Sequence, residues 1–282
     1  MRLQLPALLP LLFACNALGP DHRTIDALAN APVDLDHMAD VLVGADVVFL
    51  GEFHDNDIGH ELQLALTERL LARRPDLVVS LEMFERDAQT ILDLYLEGAV
   101  DEETFLARAR PWPNYAEHYR PVVELARRHG LRVLAANCYR PLASRVAKQG
   151  RWSIAGDPWA AQRVDAEAGP YKDKFVGLMG DHATDMGAAL DNFFAAQCVK
   201  DDTMAESIAR ELTAHGQDRP LVVHWCGAFH SDEGLGTVER LEARLPGVRV
   251  GLVTMITSRS RTRPLTDAER GQADFVWVVP PR

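Results

Sequence analysis

Two copies of the pattern Gly-x-x-His lie far apart in the chain, and each directly follows a short apolar run typical of a buried strand. The first copy ends at His54 and the second at His230. Open α/β sheets bind ligands just past the carboxyl ends of their strands, and glycine permits a sharp turn or a close approach to the backbone. The pattern therefore predicts that His54 and His230 meet at one edge of a sheet. The alternative is that each glycine merely ends a strand and each histidine is on the surface.

Two glutamates supply acidic groups for the same edge. Glu52 alternates with His54, so the two side chains point the same way in an extended chain. Glu82 lies within an apolar run, where a carboxylate is costly to bury without a partner. His54, Glu82 and His230 thus form a candidate set that could bind zinc, iron or manganese, with Glu52 orienting a ligand or acting as general base. The alternative is a polar network that caps the strands without a metal.

The pattern of apolar residues indicates the fold class. Short runs rich in β-branched residues alternate with segments of helical period, which predicts an α/β fold with a mostly parallel central sheet flanked by helices. The predicted strands are 47–50, 77–81, 133–136, 221–225, 248–254 and 275–279. The predicted helices are 57–74, 86–97, 115–129, 140–148, 158–168, 184–214 and 235–245. The long stretch between the third and fourth strands predicts a helical insertion at about 141–218.

The amino-terminal segment predicts export. An apolar run from Leu3 to Phe13 is too short to span a bilayer as a helix, and the residues before Cys15 resemble the lipobox of bacterial lipoproteins. We therefore divide the chain into a signal peptide with lipobox (1–15), a tether and first helix (16–40) and one α/β domain (41–282). This organisation predicts a lipid-anchored protein of the bacterial cell envelope, at the outer membrane or on the periplasmic face. An ordinary secretory signal is the alternative.

Composition limits the partners. The 282 residues are 47% hydrophobic and 25% charged, as in globular proteins. A net charge of −11 predicts no nucleic-acid binding. Cys138 and Cys226 both fall at predicted strand ends, and we favour two inert buried thiols there over a disulfide.

The predicted insertion and a segment before it contain candidate cofactor-binding residues. His182 and Met186 are spaced i, i+4 and share a helix face, and both residue types can ligate haem iron. One such pair would not bind both faces of a single haem. Trp112 and Tyr115 could stack on a flat macrocycle, and a tyrosinate can ligate ferric haem. Core packing is the alternative for Met186, and packing of the insertion is the alternative for Trp112 and Tyr115.

Two polar residues complete the candidate set. Arg140 follows the third strand near a predicted helix start, where it could bind a carboxylate or a phosphate bidentately. Gln197 has Asp201 and Met204 at the i+4 and i+7 positions of the long predicted helix. A solvated surface arginine is the competing interpretation of Arg140.

Taken together, several motifs in this order resemble those of ChaN-like haem-binding lipoproteins, in the superfamily that also contains Tiki-type metalloproteases and erythromycin esterases. These motifs are Gly51-Glu52-Phe53-His54-Asp55, Leu81-Glu82-Met83-Phe84-Glu85-Arg86-Asp87, Trp112 with Tyr115, Ala136-Asn137, Ala196-Gln197, Asp202-Thr203-Met204-Ala205 and Gly227-Ala228-Phe229-His230.

The resemblance implies a surface-tethered lipoprotein that takes part in haem uptake. It also implies haem binding at a homodimer interface, with a tyrosine as iron ligand. Tyr95, Tyr115, Tyr119 and Tyr139 all remain open for that role.

Our leading hypothesis is therefore a haem-binding lipoprotein that contacts haem through His182, Met186 and a tyrosine of the 112–119 region. The Tiki relatives imply a rival, a hydrolase that depends on a divalent transition metal and uses His54, Glu82 and His230. In a third hypothesis the metal centre is kept for iron chemistry while haem binds alongside.

Overall fold

A computed structural model of the chain describes residues 22–187, 189–260 and 262–281. Their strands form one eight-stranded sheet in the order β2-β1-β8-β7-β3-β6-β4-β5. The strands are β1 (Arg23–Asp26), β2 (Ala31–Pro32), β3 (Val47–Glu52), β4 (Leu77–Glu85), β5 (Val133–Asn137), β6 (Leu221–Gly227), β7 (Val250–Thr257) and β8 (Phe275–Val279). The predicted signal peptide and Cys15 lie outside the described residues.

Helices cover both faces of the sheet. The helices are α1 (Leu35–Leu42), α2 (Asp57–Arg73), α3 (Gln89–Leu96), α4 (Glu102–Ala109), α5 (Arg120–His129), α6 (Arg140–Gln149), α7 (Pro170–Met179), α8 (Asp181–Met186), α9 (Ala189–Ala214), α10 (Thr237–Arg244) and α11 (Asp267–Arg270). A π-helical turn (Tyr115–Tyr119) precedes α5 directly. Among the described residues, none of the helices combines the length and apolarity that crossing a membrane requires.

The sheet is mixed. The six strands β3 to β8 pair in parallel, whereas β1 pairs antiparallel with β8 and with β2. The expected mostly parallel arrangement therefore holds for those six strands and not for the edge that β1 and β2 form. We expected a tether and a helix at 16–40, and the sequence analysis missed this edge because β1 is short and half polar. Ile25 anchors it by packing on Val276 and Val278 of β8.

The core lies on both faces of the sheet because neighbouring residues of a strand point to opposite faces. Leu50 of β3 packs with Leu66 of α2 on one face. Phe49 packs with Ile208 of α9 and Leu241 of α10 on the other. Burial on both faces explains why the strands are continuous apolar runs in the sequence.

The region between β5 and β6 differs from the prediction in detail. The expected helix at 158–168 is wrong, since this segment is an extended and turning chain. Its polar groups bond to neighbouring structure instead: the amide of Trp159 donates to Asp157 (3.0 Å) and the amide of Asp165 donates to Asp202 of α9 (2.8 Å). Helix α7, which follows directly, and helix α4 were not predicted.

Candidate functional site

The carboxyl ends of β3, β6 and β4 lie side by side, because β6 pairs with both of the other strands. His54 follows β3, Glu82 lies near the end of β4, and His230 follows β6. The Nε2 atom of His230 is 3.3 Å from Oε1 of Glu82. The amide of Gly227 donates to Oε2 of the same carboxylate (2.7 Å). The structure thus brings the three predicted side chains together in one cleft, which we call the rim cleft.

The glycines of the Gly-x-x-His pattern make this approach possible. A Cβ atom on Gly227 would lie 2.9 Å from Cε1 of His54 and 3.7 Å from Oε2 of Glu82. A Cβ atom on Gly51 would lie 3.1 Å from the Cα atom of Ala228. Each glycine therefore clears space for the other Gly-x-x-His segment, which is the close-approach role of glycine.

Glu52 fixes the orientation of His54. Its Oε1 atom lies 2.9 Å from Nδ1 of His54 and accepts a hydrogen bond from the Tyr119 hydroxyl (2.5 Å). Gln63 donates to its Oε2 atom (2.8 Å). Burial acts to raise the pKa of Glu52, but the hydrogen bond from His54 and the nearby imidazoles hold it below its usual value. An ionised Glu52 at Nδ1 leaves Nε2 of His54 as the atom that faces the cleft.

The His54 imidazole remains accessible despite these bonds. Its side chain is 45% exposed, in contrast to the buried Glu52. Burial lowers the pKa of His54, but the bond to Glu52 and the charge of Glu82 outweigh it and raise the pKa above its ordinary value. A half-exposed imidazole with a carboxylate on its inner nitrogen is the arrangement expected of a general base or a ligand.

His230 lies between two carboxylates. Its Nδ1 atom is 2.6 Å from Oδ1 of Asp201, and Glu82 lies at its other nitrogen. Asp201 is itself held by hydroxyl donors from Tyr171 (2.7 Å) and Thr237 (2.9 Å). Burial alone would lower the pKa of His230, but Glu82 and Asp201 raise it to about 10. His230 is therefore a buried cation at neutral pH.

The donor set does not fit the predicted metal. No group of three or more histidine, cysteine or acidic side chains within the described ranges has an arrangement that could hold a metal ion. Both ring nitrogens of His230 face carboxylates in this structure, Nδ1 that of Asp201 and Nε2 that of Glu82. In this structure His230 pairs with Glu82 and Asp201, whereas His54 bonds to Glu52.

A second layer of residues holds the backbone at His54. Its carbonyl oxygen accepts from Nδ2 of Asn114 (2.6 Å) and lies 3.2 Å from Nε2 of His60. His60 stacks on His118, with ring centroids 4.2 Å apart. Burial lowers the pKa of His60 below its usual value. The segment after β3 is therefore tied to the π-helical turn and to α2.

The other predicted site residues do not form one cluster. Trp112 contacts the His54 ring edge-on (centroids 4.7 Å apart) and Gln197 lies 3.2 Å from Nε2 of His230, so both border the rim cleft. Arg140 is exposed and lies 3.4 Å from Glu85. His182 and Met186 are on α8, which packs against α7 and α9, and His182 is exposed.

The tyrosines differ in how well they could serve as iron ligands. Burial raises the pKa of Tyr95, Tyr115, Tyr119 and Tyr171, which opposes formation of the tyrosinate that ferric haem prefers. Tyr115, the tyrosine of our candidate set, is buried, and its hydroxyl has no hydrogen-bond partner among the residues that the structure describes. Tyr139 is the remaining tyrosine of the chain and is half-buried. The placement thus disfavours Tyr115 as an iron ligand.

Sequence reasoning missed part of the network. Asp201, Tyr119 and Gln63 contact the central residues but were not assigned to the cleft. The i, i+4 spacing of Gln197 and Asp201 on one helix was a usable signal, because both side chains reach His230. The three cysteines of the described chain are free and buried, in agreement with inert thiols at Cys138 and Cys226.

Comparison with known proteins gives the family. The family model described as "Haem-binding uptake, Tiki superfamily, ChaN" matches residues 38–241. The chain belongs to this family. The match includes every residue of the rim cleft and also helices α7 to α9.

Solved structures agree with this assignment at the level of the fold. A structure described as cofacial haem binding to ChaN of Campylobacter jejuni superposes with a TM-score of 0.70 at 17% identity, over 91% of this chain and 96% of that one. A mutant of erythromycin esterase EreC in its open conformation gives a TM-score of 0.53 at 12% identity, over 92% and 97% of the two chains.

A plant protein is similar in sequence. Protein RETICULATA-RELATED 5, chloroplastic, of Arabidopsis thaliana is 23% identical over 255 residues. These cover 84% of this chain but 34% of the plant protein, so the chain spans about a third of that relative's length.

Proposed function

We propose that this protein binds haem and takes part in haem uptake. The family match over residues 38–241 carries the proposal. The likeness to ChaN of Campylobacter jejuni, whose structure is described as binding haem cofacially, supports it.

The surface of α8 suits such a ligand. His182 is exposed and could offer a ring nitrogen to iron. Leu178 of α7 and Phe193 of α9, on the helices at either side, are 71% and 47% exposed. Exposed apolar side chains beside a ligating residue match what a porphyrin face requires. Met186 is half-buried and could pack against the ring or approach the iron.

Titration with haemin tests this proposal. We expect the wild-type chain to shift the Soret band of haemin and His182→Ala to lose or alter that shift. His215→Ala is the matched control, because His215 is also exposed but lies near the far end of α9. A wild-type spectrum identical to that of free haemin at every ratio would contradict haem binding.

We further propose a lipid anchor at Cys15 and a homodimer as the haem-binding form. Metabolic labelling with a radioactive fatty acid should mark the wild-type chain and leave Cys15→Ser unlabelled. Light scattering should give a doubled mass when haemin is added. An unlabelled wild type, or a mass that haemin leaves unchanged, would argue against the respective proposal.

A hydrolase is the second candidate, and the orientation of His54 favours it. Its Nδ1 atom faces the buried Glu52, while its ring edge lies against Gly227 and beside Glu82. In that position Nε2 could take a proton from a water molecule, with Glu52 stabilising the imidazolium that forms. This version of the hydrolase uses the side chains of the cleft alone, since the residues do not fit a metal.

A panel of chromogenic esters tests the second candidate. We expect wild-type turnover that His54→Ala abolishes and that the exposed His215→Ala variant retains. Turnover that survives in His54→Ala would exclude His54 as the base.

A further inference from the structure

Two arginines meet at the end of the rim cleft that lies above β4 and β5. Arg140 begins α6 and is 65% exposed, and Arg110 ends α4 and is 49% exposed. Their guanidiniums face the two oxygens of one carboxylate: Nε of Arg140 is 3.4 Å from Oε1 of Glu85, and Nη2 of Arg110 is 3.7 Å from Oε2. Both distances exceed those of good hydrogen bonds. Glu85 therefore holds the two cations near each other without saturating their donors.

The backbone at Arg110 is strained to reach this position. Arg110 has φ 52° and ψ 50°, the left-handed region that glycine or asparagine usually occupies at the end of a helix. As a result its guanidinium carbon lies 5.7 Å from the centroid of the Tyr139 ring. Strain of this kind costs free energy and is common at ligand sites. Here it places a cation on an aromatic ring at the cleft.

The two arginines differ in how many donors they have left. Arg110 donates to the carbonyl of Arg108 (3.0 Å) and to Asp87 (2.7 Å). Arg140 has no ion pair other than the long contact with Glu85 within the part of the chain that the structure describes. Arg140 can therefore offer a carboxylate two parallel N–H donors, the geometry in which guanidinium binds it best.

A short loop connects this pair to His54. Trp112, two residues after Arg110, contacts the His54 ring, and Asn114 donates to the His54 carbonyl. Two residues of extended chain span at most about 7 Å. A planar ligand lying along this loop would reach the arginines, Tyr139 and Trp112 together.

We infer that Arg140 and Arg110 bind a carboxylate of a flat, acidic ligand, with Tyr139 and Trp112 against its ring. This inference rests on the proposed haem binding and not on iron ligation by His182, and the carboxylate is then a propionate of the porphyrin. Glu85 and Asp87 face the same arginines, so the two arginines and the two carboxylates together carry no net charge. Recognition therefore depends on bidentate geometry more than on a positive field.

Ligands with and without free propionates test the inference. The full chain is titrated with haemin, haemin dimethyl ester and protoporphyrin IX. We expect Arg140→Gln to weaken haemin binding about tenfold, and Arg110→Gln about threefold because Arg110 has fewer donors left. Protoporphyrin IX, which keeps the propionates without iron, should show the same losses. The dimethyl ester should bind the wild type and both variants alike.

Two further variants control for folding. Arg145→Gln removes an exposed arginine of the same helix and should bind haemin as the wild type does. Arg110→Gly suits the left-handed backbone, so it should fold and still lose affinity. Equal affinity of the wild type and Arg140→Gln for haemin would overturn the inference but not the proposed function. The same follows if the variants lose as much affinity for the dimethyl ester as for haemin. Failure of the wild type to bind haemin would instead overturn the proposed function and the inference with it.

Discussion

Replacement of Asp201 by asparagine should destabilise the protein in a way that depends on pH. The side chain is fully buried and its carboxylate is one of two that hold His230 as a cation. Asparagine keeps the size and can still accept from Thr237, but its amide nitrogen replaces the oxygen that accepts from Tyr171, and the charge is removed. The lost acceptor costs the same at every pH, so the pH-dependent part of the loss isolates the electrostatic part of the Asp201–His230 contact.

The magnitude follows from the pKa of His230. A rise from 6.5 to about 10 corresponds to roughly 5 kcal/mol of folding free energy. Glu82 and Asp201 share this effect, so Asp201→Asn should cost about 2–3 kcal/mol. Because the folded-state pKa is raised, this stabilisation is complete below pH 6.5 and is lost as the pH rises through about 10.

Urea unfolding at several pH values between 6 and 10.5 measures the difference between variant and wild type. We expect that difference to be largest at pH 6–7.5 and to shrink as the pH approaches 10. Asp202→Asn is the matched control, because Asp202 is also buried but pairs with Arg240 and Arg244. Arginine stays protonated throughout this range, so the loss in Asp202→Asn should not vary above pH 7. An Asp201→Asn loss that is constant with pH would refute the reasoning.

Three other variants or treatments give simple outcomes. Gly236→Ala should cost more than about 2 kcal/mol in urea unfolding, because φ is 60° and a Cβ atom would lie 2.6 Å from the His230 carbonyl oxygen. Gly156→Ala, with φ 78° and open space around it, should cost only about 1 kcal/mol, and equal losses would contradict the clash. Tyr119→Phe removes a donor to the buried Glu52 and should cost about 2 kcal/mol in the same assay; no loss would mean that the hydroxyl is dispensable. In a Cys15→Ser variant, the three remaining cysteines should react with a thiol reagent at pH 8 only after unfolding, since they are buried and burial raises their pKa values; rapid reaction of this native variant would contradict the reasoning.

The sequence allowed prediction of the residues at the cleft because strand ends carry local signals. Glycine after an apolar run indicates where a strand stops, and parallel strands place such stops at one edge. His54, Glu82 and His230 could therefore be brought together without knowledge of the strand order. The six parallel strands could also be predicted from the sequence, since strands that are buried on both faces are continuous apolar runs.

Long-range partners could not be predicted in the same way. Asp201 reaches His230 from α9, and Tyr119 reaches Glu52 from the π-helical turn, so both contacts depend on how helices pack on the sheet. Strand β1 was missed because Ile25 is its anchor in an otherwise polar segment. The absent helix at 158–168 shows that composition alone does not reveal when side chains of another helix bind the backbone of a loop.

The π-helical turn at 115–119 makes the local spacing of residues critical. A π-turn accommodates one more residue than an α-turn, and here it aims Tyr119 at Glu52 and His118 at His60. Deleting a single residue from this turn would restore ordinary helix and rotate the residues before it by about 100° relative to α5. A substitution in this turn changes the contacts of one side chain only. A change of length would shift every residue before the turn and separate the loop from His54. Insertions and deletions here should thus be rarer among functional variants than substitutions.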